Sequence, residues 1–167
     1  MVTSLEVAGP FETECDLNNR GTKHIHAGHG REFFEENEWL AKRRGCYIFG
    51  IKSGRGLRAA YVGKATKRFD QEVFATDKLN KYNKALHKWD HGSPVLLFVL
   101  TPTAVWSAPL ITDVEEYLIR SVKRVWPEIL NKHHTGADSW DISGVTADHP
   151  GKRSRAESVL SQLLKLD

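Results

Sequence analysis

The sequence predicts an α+β domain, and three observations carry that prediction. Two short runs rich in aromatic and β-branched residues flank a Gly- and Ser-containing loop, as the arms of a hairpin do. A later eight-residue run, Pro94 to Thr101, is apolar on both faces, and the segments around these strands read at helical period. The 167 residues, 40% of them hydrophobic, suffice for one substantial core and some terminal decoration.

Taken in order, residues 1–44 read as an N-terminal extension. Gly9, Pro10, Asn18, Asn19, Gly21, Gly28 and Gly30 interrupt its first thirty positions, so irregular structure is expected there. Arg31 to Arg44 is charged and helix-favouring; a short helix should turn Phe33, Phe34, Trp39 and Leu40 inward and be capped by Gly45. Cys46–Ile51 and Leu57–Gly63 are the hairpin strands. Lys64 to Trp89 lacks Pro and Gly and places Phe69, Val73, Thr76 and Leu86 at helical spacing, predicting one or two helices. Pro94 to Thr101 is the third strand, at the sheet centre or covered on both sides. A longer helix runs from Ile111 to Trp126, stopped by Pro127. Residues 45–132 thus form the core domain. Residues 133–167 form a C-terminal extension packing on it, with a short strand (Trp140 to Val145), a turn at Pro150-Gly151 and a helix from Ser154 to Leu166.

Composition narrows the function without choosing it. Twenty-four Lys and Arg against twenty-one Asp and Glu give +3, which permits an anionic partner. Two cysteines, Cys15 and Cys46, are too few for a disulfide framework and suit a reducing cytosol. No apolar stretch approaches the roughly 18 residues of a membrane span, and the N-terminus carries acids where a signal peptide carries bases. A cytoplasmic protein with no membrane partner is expected.

Two features carry chemistry. With the hairpin centred on Gly54, antiparallel partners sum to 108, which sets Tyr47 opposite Tyr61. Cross-strand aromatic pairs are common packing devices, so this pair alone decides nothing. On the Ile111–Trp126 helix, with Leu118 at zero, Glu115 falls at about 60°, inside the stripe of Ile111, Val122 and Val125, while Glu116 falls at about 160°. A carboxylate on that face needs a cation, a metal or a hydrogen-bond donor.

Gly45-Cys46-Tyr47, then Tyr61-Val62-Gly63-Lys64, then a helix, then Glu115 with Leu118-Ile119 after it, and finally Asn131 together resemble the GIY-YIG endonucleases. That family includes homing endonucleases, some restriction enzymes and the incision subunit of bacterial excision repair. The resemblance spans residues 45 to 131 and implies a three-stranded antiparallel sheet flanked by helices, in agreement with the strand count. It further implies metal-dependent hydrolysis of nucleic-acid phosphodiesters, with DNA the expected substrate over RNA. Tyr47, Tyr61, Lys64 and Asn131 would be catalytic, and Glu115 would hold one divalent cation, Mg²⁺ or alternatively Mn²⁺. A phenol is a poor base until cations stabilise its phenolate, which a nearby Lys64 would do.

The chain departs from the family at Cys46, where Ile is usual, and at the helix arginine, whose position holds Gln71. Arg68, three residues earlier on nearly the same helical face, is the candidate substitute; the alternative is a catalytically silent nucleic-acid-binding module. Between Lys64 and Lys88 seven bases face three acids. Lys67, Lys78, Lys81, Lys84 and Lys88, with Tyr82 among them, form a candidate phosphate-tracking face. A solvated helix surface explains such a run equally well, and His87 reads as an ordinary surface residue. His24, His26 and His29, with His133 and His134, match no standard structural zinc spacing.

Overall fold

The computed structural model describes residues 3–54, 56–104, 107–131, 140–146 and 151–165. Strands β1 (Thr3–Glu12), β4 (Gly45–Ser53), β5 (Gly56–Ala65) and β6 (Ser93–Leu100) make an antiparallel sheet in the order β5-β4-β6-β1. A short β7 (Trp140–Ile142) adds in parallel to the outer edge of β1. A separate ribbon pairs β2 (Asp16–Leu17) with β3 (Lys23–His24). The fold is α+β as expected, but the sheet has four antiparallel strands where three were predicted.

The additional strand is β1, in the region expected to be irregular. Gly9 and Pro10 fall where its register against β6 shifts, between the pairs Ala8–Phe98 and Phe11–Leu96. Pro cannot donate to the ladder and Gly weakens it, so both are tolerated at a bulge.

Alternation along the strands divides the core into two layers. Tyr47, Phe49, Leu96, Phe98 and Leu100 face an aromatic layer under α1 (Ala27–Glu36), α2 (Glu38–Ala41), α3 (Phe69–Glu72) and α4 (Thr76–Lys88). Cys46, Ile48, Leu97 and Val99 face an aliphatic layer under α5 (Ala108–Val125) and α6 (Arg155–Leu164). β6, buried on both sides, is central as its composition predicts. α1 starts at Ala27 rather than Arg31, and Trp39 turns outward at 55% exposure instead of inward. Gly45 is no helix cap: at φ +141° it opens β4, and a Cβ there would stand 2.1 Å from the Val99 carbonyl oxygen. The C-terminal helix begins as its sequence signals, with Ser154 and Glu157 forming a reciprocal capping box. Tyr82, assigned to the basic surface of α4, is instead fully buried and stacks on Phe49 at 4.2 Å. β7 ends at Ile142, three residues short of expectation; the turn expected at Pro150-Gly151 lies partly, and His133 and His134 wholly, outside the described residues.

The β4–β5 register corrects the hairpin arithmetic. Near the loop, partners sum to 109, as in Gly50–Ala59, and beyond Phe49–Tyr61 they sum to 110. Ala60 is the extra residue, so Ala60 and Tyr61 both face the aromatic layer. Tyr47 therefore stands opposite Gly63, and Tyr61 opposite Phe49. Without the bulge, Tyr61 would oppose Ile48 and point into the aliphatic layer.

Candidate active-site cleft at the sheet edge

β5 is the terminal strand, so its outer edge must be satisfied by something other than a strand. The chain after α5 returns along it: Leu130 N–H donates to the Ala60 carbonyl at 3.0 Å. The Asn131 side chain then accepts from Val62 N–H at 2.8 Å and donates to the Val62 carbonyl at 2.7 Å. Beyond this clamp, side chains from both faces of the strand wrap around the edge into a cleft of about 270 Å³. Tyr61 enters from the aromatic face and Lys64 from the other. Glu72 comes from α3, Asp77 and Lys78 from the first turn of α4, and Glu115 from α5.

Glu115 lies on the flank of the stripe formed by Ile111, Val114, Leu118 and Val122, with its side chain 13% exposed. Its compensating cation is Lys64, whose Nζ is 3.0 Å from Glu115 Oε2 and donates to Thr112 Oγ1 at 3.2 Å. Thr112 precedes Glu115 by three positions, nearly one turn, so the ammonium lies along one ridge of α5. Glu116 does not line the cleft.

Tyr61 has a different cationic environment from the one its neighbour Lys64 suggested. Lys81 does not line the cleft itself, but its Nζ stands behind it, 4.5 Å from the Tyr61 ring centroid and 3.5 Å from its hydroxyl. Lys78, paired to Asp77 at 2.5 Å, approaches from the preceding turn of α4. Burial pushes the Tyr61 phenol up from its ordinary range, Lys78 pulls it part of the way back, and Glu115 pushes it up again; the net shift is upward. For Lys78, burial pulls downward, but Asp77 and Tyr61 outweigh it.

Tyr47 lies beneath Tyr61, with ring centroids 6.2 Å apart and no exposed surface. Among the described residues nothing meets its hydroxyl at hydrogen-bonding geometry, although the Tyr82 phenol stands near enough to push its pKa up beyond what burial does. Tyr82, one of the phenols that surround it, gives its own proton to the Val73 carbonyl at 2.6 Å. Burial drives the Tyr47 phenol well above its usual range. The ring lies directly over Gly63, where a Cβ would meet Tyr47 Cζ at 2.3 Å. That contact is a physical reason for glycine at this position.

The other candidates scatter. Arg68 forks onto Asp70, with Nε to Oδ1 at 2.9 Å and a second bond from Nη2 to Oδ2, and does not line the cleft. Gln71 is exposed on α3 and is likewise outside it. Lys67, Lys84 and Lys88 are exposed, and Lys88 lies over Trp89 at 4.7 Å. Sequence reasoning did not single out Glu72, which accepts from Thr66 N–H at 2.7 Å, or Asp77 and Thr112; each is a short polar residue with no pattern of its own.

Among the histidines, His26 and His29 converge with Asp16, while His24 stands across the β2–β3 ribbon. His26 Nδ1 accepts from Gly28 N–H at 3.0 Å and His29 Nδ1 from His26 N–H at 3.2 Å. These backbone donors place the neutral ring proton on Nε2, and both Nε2 atoms face Asp16, at 3.1 and 3.5 Å. A metal at Nε2 would move that proton to Nδ1, where a donor already stands. The cluster fits a capping network at the start of α1 and does not fit zinc.

Compared with family models, with curated proteins and with solved structures, the chain has no match.

Proposed function

We propose that the cleft hydrolyses nucleic-acid phosphodiester bonds, DNA in the first instance, with a divalent cation at Glu115. The observation that carries this reading is the convergence, around one strand edge, of a carboxylate from α5 and a phenol flanked by two ammonium groups from α4.

The residues fit a hard cation. Glu115 is a charged oxygen donor on the wall of an open cleft, with one oxygen paired to Lys64, and three acids (Glu72, Asp77, Glu115) face two bases (Lys64, Lys78) in the lining. Mg²⁺ uses one or two carboxylates and takes its remaining ligands from water and phosphate, and Mn²⁺ is the alternative. When bound, such a cation supplies Lewis acidity toward a phosphoryl oxygen.

The chain's own groups do the rest. With its pKa raised, Tyr61 is a protonated phenol at neutral pH and donates a hydrogen bond to a phosphate oxygen or to the attacking water. Lys78 and Lys81 stabilise the negative charge that grows on the phosphate, or on the phenol if it yields its proton. Lys64 holds the Glu115 carboxylate in place, and Tyr47 supports Tyr61 from below without reaching the substrate.

A silent binding module is the second reading, favoured by the Lys64–Glu115 pair, which neutralises the carboxylate with no metal. Plasmid, single-stranded DNA and RNA, incubated with Mg²⁺ or Mn²⁺, separate the two. Cleavage by wild type, lost in Glu115→Gln and kept in Glu116→Gln, supports the enzyme. Binding without cleavage under every condition supports the silent module.

A further inference from the structure

Hydrolysis of a phosphodiester requires the attacking water to lose a proton, and neither a protonated phenol nor an ammonium group can accept one. Among the described residues three carboxylates line the cleft, Glu72, Asp77 and Glu115. Two of them are engaged by ammonium groups. Lys78 bonds Asp77 and holds its carboxyl below the usual range, which makes it a weaker base, and Lys64 meets Glu115 Oε2 at 3.0 Å. Glu72 is held differently. Its Oε2 accepts from the Thr66 backbone N–H at 2.7 Å, so the bond that orients it comes from a neutral donor and uses one of its two oxygens.

The short helix that carries Glu72 is fixed on both sides. Phe69 and Val73 are fully buried, Phe69 N–H donates to the Arg43 carbonyl at 3.0 Å, and the Val73 carbonyl accepts the Tyr82 hydroxyl at 2.6 Å. Tyr82 in turn packs against Tyr61, with ring centroids 6.3 Å apart. Buried and bonded structure therefore sets Glu72 relative to the Tyr61 phenol, and the loop from β5 to α3 is closed by the Glu72 carboxylate itself. A group that must meet water at one point of a cleft needs that kind of support.

We infer that Glu72 is the general base of the cleft, an assignment that rests on the phosphodiesterase reading of the same site. The Glu72 carboxylate takes a proton from the attacking water as the water oxygen bonds to phosphorus. The bond from phosphorus to the leaving sugar oxygen breaks, and that oxygen keeps the bonding pair and takes a proton from solvent. Glu72 then gives its proton to solvent and ends ionised, as it began. Tyr61 keeps its own proton and donates to a phosphate oxygen.

The test uses the full chain in single-turnover cleavage of duplex DNA with Mg²⁺, at saturating protein. Glu72→Gln separates the two roles of the side chain, because its amide oxygen still accepts from Thr66 N–H but cannot take a proton from water. Cleavage should slow about 100-fold or more. The urea midpoint, the affinity for DNA and the affinity for Mn²⁺ by electron paramagnetic resonance should all stay at their wild-type values. The variant's rate should also rise in proportion to hydroxide across the neutral range, where the wild-type rate levels off with its base ionised. Glu72→Gln cleaving at close to the wild-type rate overturns the base while the cleft reading stands. So does slow cleavage with weakened Mn²⁺ binding, which would make Glu72 a metal ligand. If Glu72→Gln does not fold, the wild type alone decides: a plateau across the neutral range supports the base, and a rate that climbs with hydroxide throughout overturns it. Absence of cleavage by the wild type with either Mg²⁺ or Mn²⁺ overturns the cleft reading and the base together.

Discussion

The Asn131 side chain completes β5 by bonding both backbone groups of Val62, at 2.8 and 2.7 Å, in the place a neighbouring strand would occupy. This locates the asparagine's action on the strand that carries Tyr61 and Gly63, rather than on the cleft, which it does not line. Asn131→Leu loses both bonds and leaves a buried donor and acceptor unpaired. Stability should fall by about 1–3 kcal/mol, read as a lower urea midpoint at unchanged slope. Asn131→Asp keeps the acceptor but sets an oxygen against the Val62 carbonyl, so it should fare no better. Wild-type stability with lost cleavage in Asn131→Leu would instead place the amide on the substrate.

The contact between Tyr47 and Gly63 yields a prediction of opposite sign at each partner. Among the described residues no group meets the buried Tyr47 hydroxyl at hydrogen-bonding geometry, so Tyr47→Phe should leave stability unchanged or raise it by up to about 1 kcal/mol. Gly63→Ala drives a methyl into the Tyr47 ring and should cost about 1–3 kcal/mol. Thermal melts of the two variants check both. A clear loss of stability in Tyr47→Phe would mean that the hydroxyl has a partner after all.

The hairpin and the helix carrying Glu115 follow from composition and period, whereas the shared face of the two tyrosines is right only because two one-residue departures from the expected register cancel. The tyrosine face was reached through a register off by two. The loop pairs at 109 rather than 108, which alone would send Tyr61 to the opposite face, and the Ala60 bulge adds one more residue and restores it. No local pattern marks Ala60 as the bulge. β1 was missed because Gly9 and Pro10 read as breakers, whereas the sheet absorbs them at its own irregularity. The partners of Tyr61 were misassigned because Lys64, three residues away, alternates to the other face, while Lys78 and Lys81 arrive from a helix that sequence distance cannot place.

Alkaline pH should reveal the buried phenols. Burial raises Tyr47 and Tyr82 well above, and Tyr61 above, the ordinary value of 10.0. Because the native state disfavours the phenolates, their contribution to stability is complete below about pH 10. It is lost as the pH rises from there through the native values, since the unfolded chain ionises first. Urea midpoints should therefore decline above pH 10, with phenolate absorbance near 295 nm from these residues appearing together with unfolding. Phenolate signal from all four tyrosines at the unperturbed value, without unfolding, would contradict the burial of three of them.

An enzyme in this cleft needs a cation to meet the charge that grows on the phosphate, and the geometry favours α4 over Arg68 for it. Arg68 spends its fork on Asp70, whereas Lys81 is 3.5 Å from the Tyr61 hydroxyl and Lys78 is the charge that most lowers the Tyr61 pKa. If these ammonium groups stabilise the transition state, Lys78→Ala and Lys81→Ala should each slow cleavage on the order of 100-fold, about 2.7 kcal/mol. Arg68→Ala should cleave at close to the wild-type rate. Lys78→Ala has a second signature, because removing its charge lets the Tyr61 phenol rise further: any alkaline limb of the pH–rate profile that reports Tyr61 should move upward. Lys84→Ala, on an exposed turn of the same helix, should weaken binding and flatten its salt dependence while sparing the rate at saturation. The reverse pattern, with Arg68→Ala slow and the two lysine variants fast, would mean that Arg68 leaves Asp70 when the substrate binds. The lysines would then serve only to balance Asp77 and the phenol, and the transition-state role assigned to α4 would pass to α3.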